Sequence, residues 1–409
     1  MDAVQLRVVD RIAETEPALV ELGEFIHQHP EIAMQQHACS TACADFMGRH
    51  GFEVSRGVAD LPTAFSATTG DERGPVVGFL SEYDALPGLG HGCGHNLIAI
   101  SGIGAGIGLA AVAAELGGRV TVFGTPAEEA IGGKIFMARA GLFDGLSAAL
   151  GAHPATVEAS CPTVVGSGRV LACQELDIVF RGQAAHAAAD PYNGVNALNA
   201  LIEVFNGINA LRQHIRSDAR IHGVITDGGQ AANVVPDFAR GSFMVRAATI
   251  AYMTELLGRV HAIAEGAALI TGAALEWTIT APASADMITN HTLARAVKRG
   301  SDLAGLPLQE AVAEEAAGST DWGNVSYVAP SVETTFPILD GVCTWHSQDV
   351  VEAARSPMGY RNAVKVAGAM ALAGLEVLRS EELRAEIRRE FDERVPSNGR
   401  ELVLGMAAR

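Results

Sequence analysis

Aromatic side chains make up only 5% of this 409-residue chain, and its 29 basic residues are outnumbered by 47 acidic ones. The resulting formal charge of −18 argues against nucleic acid and against an anionic membrane surface as partners, because both repel an acidic protein. It says nothing of a substrate's charge, since a solvated acidic surface serves solubility by itself. Disulfide spacing is lacking too. The six cysteines, at 39, 43, 93, 161, 173 and 343, form no framework in so long a chain, and the cytoplasm is the expected compartment. Cys39 and Cys43, four apart in a predicted helix, read as small buried hydrophobes. Met1 to Pro17 mixes acids and bases at helical spacing and has no apolar signal core. Internal repeats and low-complexity segments are likewise missing.

What the chain has in quantity is aliphatic. Hydrophobic residues reach 48%, and at this length two domains are expected rather than one core. Leu97 to Leu116 is long and apolar enough to raise a membrane span, but its glycines and alanines and the polar motif before it favour a buried helix. Residues 17–50 read as helix, with Pro30 ending one helix before another starts. His27 and His29 then shape that break rather than bind metal. Val76–Leu80, Val120–Gly124 and Ala148–Ala152 read as buried strands separated by helical segments, which predicts an α/β domain with a central, mostly parallel sheet and flanking helices. From Cys173 the pattern changes to strand Glu175–Arg181, helix Asn193–His214, strands Ile221–Thr226 and Gly241–Ala247, helix Tyr252–Gly266 and strand Ala274–Ile279. That β-α-β-β-α-β order is ferredoxin-like. The expected partition is a first domain over 1–172 that resumes over 284–409, interrupted by an insertion over 173–283. Its final helix, Met358–Arg379, has the apolar stripe of a packed helix.

His91-Gly92-Cys93-Gly94-His95-Asn96 sets three metal-capable side chains close together, and the glycines let Cys93 and His95 close on one cation. Gly102, Gly104, Gly106 and Gly108 suggest a dinucleotide loop only superficially. They miss the G-x-G-x-x-G spacing and follow no strand, so helix packing is the better reading. Glu128-Glu129 follows a strand and Pro126. Adjacent residues leaving a strand point different ways, so one carboxylate can ligate a cation while its neighbour faces the substrate. A Glu-Glu pair also commonly opens a solvated helix; the preceding strand and Gly132-Gly133 weigh against that here. His153, before Pro154, is a further candidate ligand, although a histidine there also serves as a satisfied core residue. His346, in Cys343-Thr344-Trp345-His346-Ser347, would tie a distant part of the chain to the site. The candidates at Glu128-Glu129 and His153 sit just past the C-terminal ends of strands, where open α/β sheets place their sites. Cys93, His95, Glu129, His153 and His346 are too many for one tetrahedral ion and suit two ions that share a ligand or water. The pattern predicts a metal-dependent hydrolase.

These motifs resemble those of the aminoacylase-type dinuclear metallopeptidases, above all the Cys-containing amidohydrolase branch. That branch includes plant indole-acetyl-amino-acid hydrolases, bacterial N-acyl-amino-acid hydrolases and aminobenzoyl-glutamate hydrolase. The resemblance runs from His27-Gln28-His29-Pro30-Glu31 through Glu82-Tyr83-Asp84-Ala85-Leu86-Pro87, the HGCGHN core, Pro126-Ala127-Glu128-Glu129 and His153-Pro154. It continues in Gln183-Ala184-Ala185-His186-Ala187 and in 228–236. Glu82-Tyr83-Asp84 and Gly318–Ser326 look most like the aminobenzoyl-glutamate hydrolase and dipeptidase subgroup. The wider family has His-x-Asp where this chain has Glu82-Tyr83-Asp84, so one family ligand is absent and the Cys93-x-His95 pair stands in for it.

The resemblance implies that Cys93, His95, Glu129, His153 and His346 ligate two divalent ions and that Glu128 is the general base. Asp84 would orient a ligand, and Asn233 and, less closely matched, Arg246 would bind substrate. The insertion would serve as a dimerisation and lid domain. His186 would reach a partner subunit's site in a homodimer, or else cap a turn in its own domain. The ligand chemistry suits zinc, cobalt or nickel, whereas the branch resemblance adds manganese. The expected substrate is a small N-acyl or aminobenzoyl amino acid, with an unusual dipeptide as the alternative. A non-catalytic metal-binding protein is the reading from another class.

Overall fold

Short aliphatic runs bounded by glycines and polar turns become strands here, and longer apolar stripes become helices. The computed structural model describes residues 1–161, 170–306, 308 and 318–405. Two units result: Met1–Val170 with Met287–Leu404, and the inserted Leu171–Asp286.

The first unit opens with α1 (Ala3–Gln28), started by a capping box in which Asp2 accepts from the N–H groups of Val4 and Gln5. The helix starts well before residue 17, because Pro17 removes one backbone donor but leaves the stripe Val8, Ile12, Leu19, Leu22 and Ile26 unbroken. After the break at Pro30 come α2 (His37–Arg49), β1 (Glu53–Arg56), β2 (Phe65–Gly70) and β3 (Val76–Ser81). Then follow α3 (His95–Ala113), β4 (Arg119–Gly124), α4 (Gly133–Arg139) and β5 (Ala148–Thr156). The inserted unit contains β6 (Ala172–Arg181), α5 (Ala197–Leu211), β7 (Arg220–Asp227), β8 (Phe238–Ala247), α6 (Ile250–Thr271) and β9 (Ala274–Ile279). The first unit resumes with α7 (His291–Leu303), α8 (Trp322–Ser326), β10 (Ser331–Leu339), α9 (Gln348–Ala353) and α10 (Pro357–Arg379). Its charged tail forms α11 (Glu381–Arg394) and α12 (Gly399–Gly405).

The first unit's sheet has the order β1-β2-β4-β3-β5-β10. Its four strands from β4 to β10 are parallel, and β2 and β1 add an antiparallel edge. α3 is almost wholly buried, as an unbroken apolar sequence requires. It is long and apolar enough to cross a membrane, yet here it packs against β3, β4, β5, α1 and α10. Glycine permits that fit: a Cβ at Gly102 would stand 2.5 Å from Leu80 O, and one at Gly106 would stand 2.2 Å from a Val122 methyl. The inserted unit is a four-stranded antiparallel sheet, β7-β8-β6-β9, carrying α5 and α6. It has the ferredoxin-like order read from the sequence.

Candidate metal centre

β3, β4 and β5 run parallel, so the segments leaving β3 and β4 meet at one edge of the sheet. β3 feeds Glu82-Tyr83-Asp84. Alternation along the extended chain sends Tyr83 into the core, where its hydroxyl donates to Thr63 O, and sends Glu82 and Asp84 the other way. β4 feeds the turn at Ala127, whose φ of 60° is left-handed and costly for a residue with a Cβ. That turn lets Glu129 N–H donate to Asp84 Oδ2 at 3.0 Å. His153 lies within its strand rather than beyond it, because β5 continues to Thr156 with His153 registered against Thr335. Past Leu150 β5 no longer pairs with β3, so the N–H that Pro154 lacks is not needed there. His346 sits in the loop between β10 and α9 with φ 59°, a second left-handed non-glycine residue at the site.

Five sequence-predicted ligands are brought together. Donor atoms of Cys93, His95 and His153 lie within 4.8 Å of one another, as do those of Cys93, Glu129 and His346. Cys93 is common to both groups. A third group of the same tightness joins Glu82, His95 and Glu128. His95 Nδ1–H donates to Asp84 Oδ1 at 3.0 Å, and His153 Nδ1–H donates to Pro154 O at 2.8 Å, tautomers that follow from those partners. Both Nε2 atoms therefore face inward. His153 Nε2 is 3.3 Å from Cys93 Sγ, His95 Nε2 is 4.0 Å from Glu129 Oε1, and His346 Nε2 is 3.2 Å from the same oxygen. His95 Nε2 and Glu129 Oε1 are buried and make no hydrogen bond. Sulfur, nitrogen and oxygen donors converging this closely suit a divalent cation, and a donor set of thiol, imidazole and carboxylate fits one.

Electrostatics point the same way. Burial pushes the Cys93 thiol up to about 12 in the metal-free chain, so a bound cation takes the place of that proton. Burial also holds His153 below the ordinary imidazole range, helped by His95. His95 lies well above it, because Asp84 and Cys93 outweigh the cost of burial. Burial and the neighbouring Glu82 raise the Glu128 carboxyl well above its usual range.

Sequence reasoning missed four residues. Lys134, fully buried, pairs with Glu82 and Asp321. Asp321 also accepts from the Lys134 backbone N–H at 2.9 Å, a close approach allowed by Gly132, where a Cβ would stand 3.2 Å from the Asp321 Cβ. Glu333 on β10 is buried beside them. Trp345 Nε1–H donates to Cys93 Sγ at 3.2 Å. Adjacency to His346 was the only sequence signal for Trp345, and a lysine in a short helix reads as surface.

His186, Asn233 and Arg246 belong to the inserted unit. His186 is exposed and its Nδ1 accepts from the N–H groups of Ala188 and Ala189, the turn-capping alternative read from the sequence. Asn233 is beside it, its carbonyl accepting from Ala187 N–H. Arg246 is at the other end of β8 from Phe238, opposite Cys173 and Arg220.

Comparison with known proteins agrees with this geometry. Residues 174–271 match the peptidase dimerisation domain of the M20 family. The chain is 34% identical over 406 residues to a mouse Xaa-Arg dipeptidase, covering 96% of this chain and 93% of that one. The chain belongs to the M20 peptidase family. This M20 member is also 34% identical over 327 residues to one of the p-aminobenzoyl-glutamate hydrolase subunits of Escherichia coli K12, covering 75% of this chain and 66% of that one. A dinuclear metal-binding M20 peptidase from Bacillus subtilis shares its fold, with TM-score 0.64 and 21% identity over 89% of this chain and 99% of that one. The M20 chain is thus a hydrolase of amide or peptide bonds.

Proposed function

We propose that the chain is a dinuclear amidohydrolase that cleaves a small amide between an acyl group and an amino acid with a free carboxylate. The observation that carries this reading is Cys93, shared by two donor groups, with Glu128 beside them. One ion would lie among Cys93, His95 and His153 and the other among Cys93, Glu129 and His346, with zinc or manganese the leading candidates and cobalt or nickel also suited. Divalent ions bound there supply Lewis acidity, which activates water and polarises a carbonyl. Glu128 takes the proton of the attacking water and delivers it to the leaving amine, a shuttle suited to a carboxyl raised by burial. Asp84 fixes the His95 ring and the Glu129 backbone together, so a single carboxylate orients two ligands.

We also propose a homodimer in which His186 of the partner subunit stabilises the oxyanion and Asn233 contacts substrate. Capping by Ala188 and Ala189 occupies Nδ1, so a neutral His186 carries its proton on Nε2 and can donate there. Edge strand β7, with Val224 and Ile225 exposed, supports pairing of two copies. The full-length likeness to a Xaa-Arg dipeptidase favours a second reading, hydrolysis of a dipeptide with a cationic C-terminal residue.

A panel of N-acyl amino acids, aminobenzoyl-glutamate and Xaa-Arg dipeptides separates the two. Glu128→Gln should lower turnover on the best substrate by roughly three or more orders of magnitude with metal content unchanged. Retained activity in that variant would remove Glu128 from the chemistry.

A further inference from the structure

The dinuclear reading leaves one member of the third donor group, Glu82, without a role. Glu82, His95 and Glu128 offer two carboxylates and an imidazole within 4.8 Å of one another, a composition that would take a divalent cation in its own right. A cation is already beside them, and the chain supplies it. Lys134 Nζ lies 2.8 Å from Glu82 Oε1 and is paired with Asp321 Oδ1, and all three side chains are buried. The other Glu82 oxygen, Oε2, is 3.5 Å from His95 Nε2. Glu82 thus has one oxygen on an ammonium and the other toward a ligand nitrogen. Glu82 and Asp321 come from the two segments, Glu82-Tyr83-Asp84 and Gly318–Ser326, that resemble the aminobenzoyl-glutamate hydrolase and dipeptidase subgroup. α4 brings them to a common lysine.

We infer that the Lys134 ammonium is the resident cation of this half of the centre: clamped by Glu82 and Asp321, it keeps Glu82 from ligating metal and leaves His95 Nε2 to the Cys93 side. Lys134, Glu82 and Asp321 are positioning residues on this account. An ammonium neutralises charge without demanding coordination geometry, so His95 can serve one ion. Without Lys134, the carboxylates of Glu82 and Glu128 form an open oxygen site that water can complete, with His95 still on the Cys93 side. The inference rests on the dinuclear reading, and its test is a difference from the unmodified protein.

Manganese(II) is added to chelator-stripped protein, excess is removed, and bound metal per chain is counted by mass spectrometry. Glu82→Gln should bind as many ions as the unmodified chain, whereas loss of an ion would make Glu82 a ligand and overturn the inference. Lys134→Met should gain about one ion, and the double variant Glu82→Gln/Lys134→Met should lose it again. A folded Lys134→Met chain with no gain also overturns the inference. If Lys134→Met does not fold, Glu82→Gln alone decides. An unmodified chain that binds fewer than two ions overturns the dinuclear reading instead, a distinguishable outcome.

Discussion

Trp345 aims the one N–H of its indole at the Cys93 sulfur, which also lies against the His153 imidazole. Trp345→Phe keeps the ring against His153 and removes the donor. Hydrogen bonds to ligands govern metal affinity by about 10–100-fold, so titration should show manganese binding weakened by roughly tenfold or more. Unchanged affinity would mean that the N–H has no hold on Cys93. Glu333 carries a different consequence. Burial, with Glu82 nearby, pushes its carboxyl up to about 8 from an ordinary 4.5. The folded chain keeps a proton there that the unfolded chain releases between those values. This contribution to stability is full below pH 4.5, declines as pH rises through 8, and is flat beyond. Urea unfolding of chelator-treated protein at pH 5 and pH 8 should show that decline, and Glu333→Gln should reduce it by roughly a few kcal/mol at most. An unaltered slope in the variant would assign the pH dependence to other groups.

At the scale of elements, α3 positions His95 by lying tight on β3. The Leu80 carbonyl that a Cβ on Gly102 would strike is backbone and cannot swing aside. Gly102→Ala should therefore cost about 1–3 kcal/mol and weaken metal binding by shifting the helix that carries His95. Gly258→Ala, on the exposed face of α6 with nothing within 4 Å, is the control. It should be neutral or stabilising by about 0.5–1 kcal/mol, and equal losses in both would show that α3 packing is not the cause. The alternation of apolar runs with strand-end ligands was legible in the sequence, because buried parallel strands need continuous aliphatic stretches and their ends collect chemistry. The ferredoxin-like order of the insertion was legible for another reason, the alternation of strand and helix patterns along it, with antiparallel strands that bury alternate residues. The strand β10 and the antiparallel edge β1-β2 were not, since β1 is short and largely exposed and β10 carries buried Glu333 where a core strand is expected to be apolar. Nor was the Glu82–Lys134–Asp321 cluster. Charges 52 and 187 residues apart in the chain meet only through the fold.

The whole molecule, as proposed, is a pair of chains that each complete the other's site. An inactive Glu128→Gln subunit mixed with an inactive His186→Ala subunit should then regain activity, because one of the two sites keeps its own Glu128 and receives an intact His186. Absence of recovery after verified subunit exchange would confine His186 to its own chain. The single chain has a schedule of its own. During synthesis β3, β4 and β5 emerge with Cys93, His95, Glu129 and His153, and then the entire segment Leu171–Asp286 must leave the ribosome before Asp321, β10 and His346 do. Until then Lys134 lacks Asp321 and β5 lacks its outer neighbour. A nascent or prematurely terminated product holds most of the donors without their final arrangement, so on the proposed ligand set the second ion would find its full set of donors only once translation has passed His346.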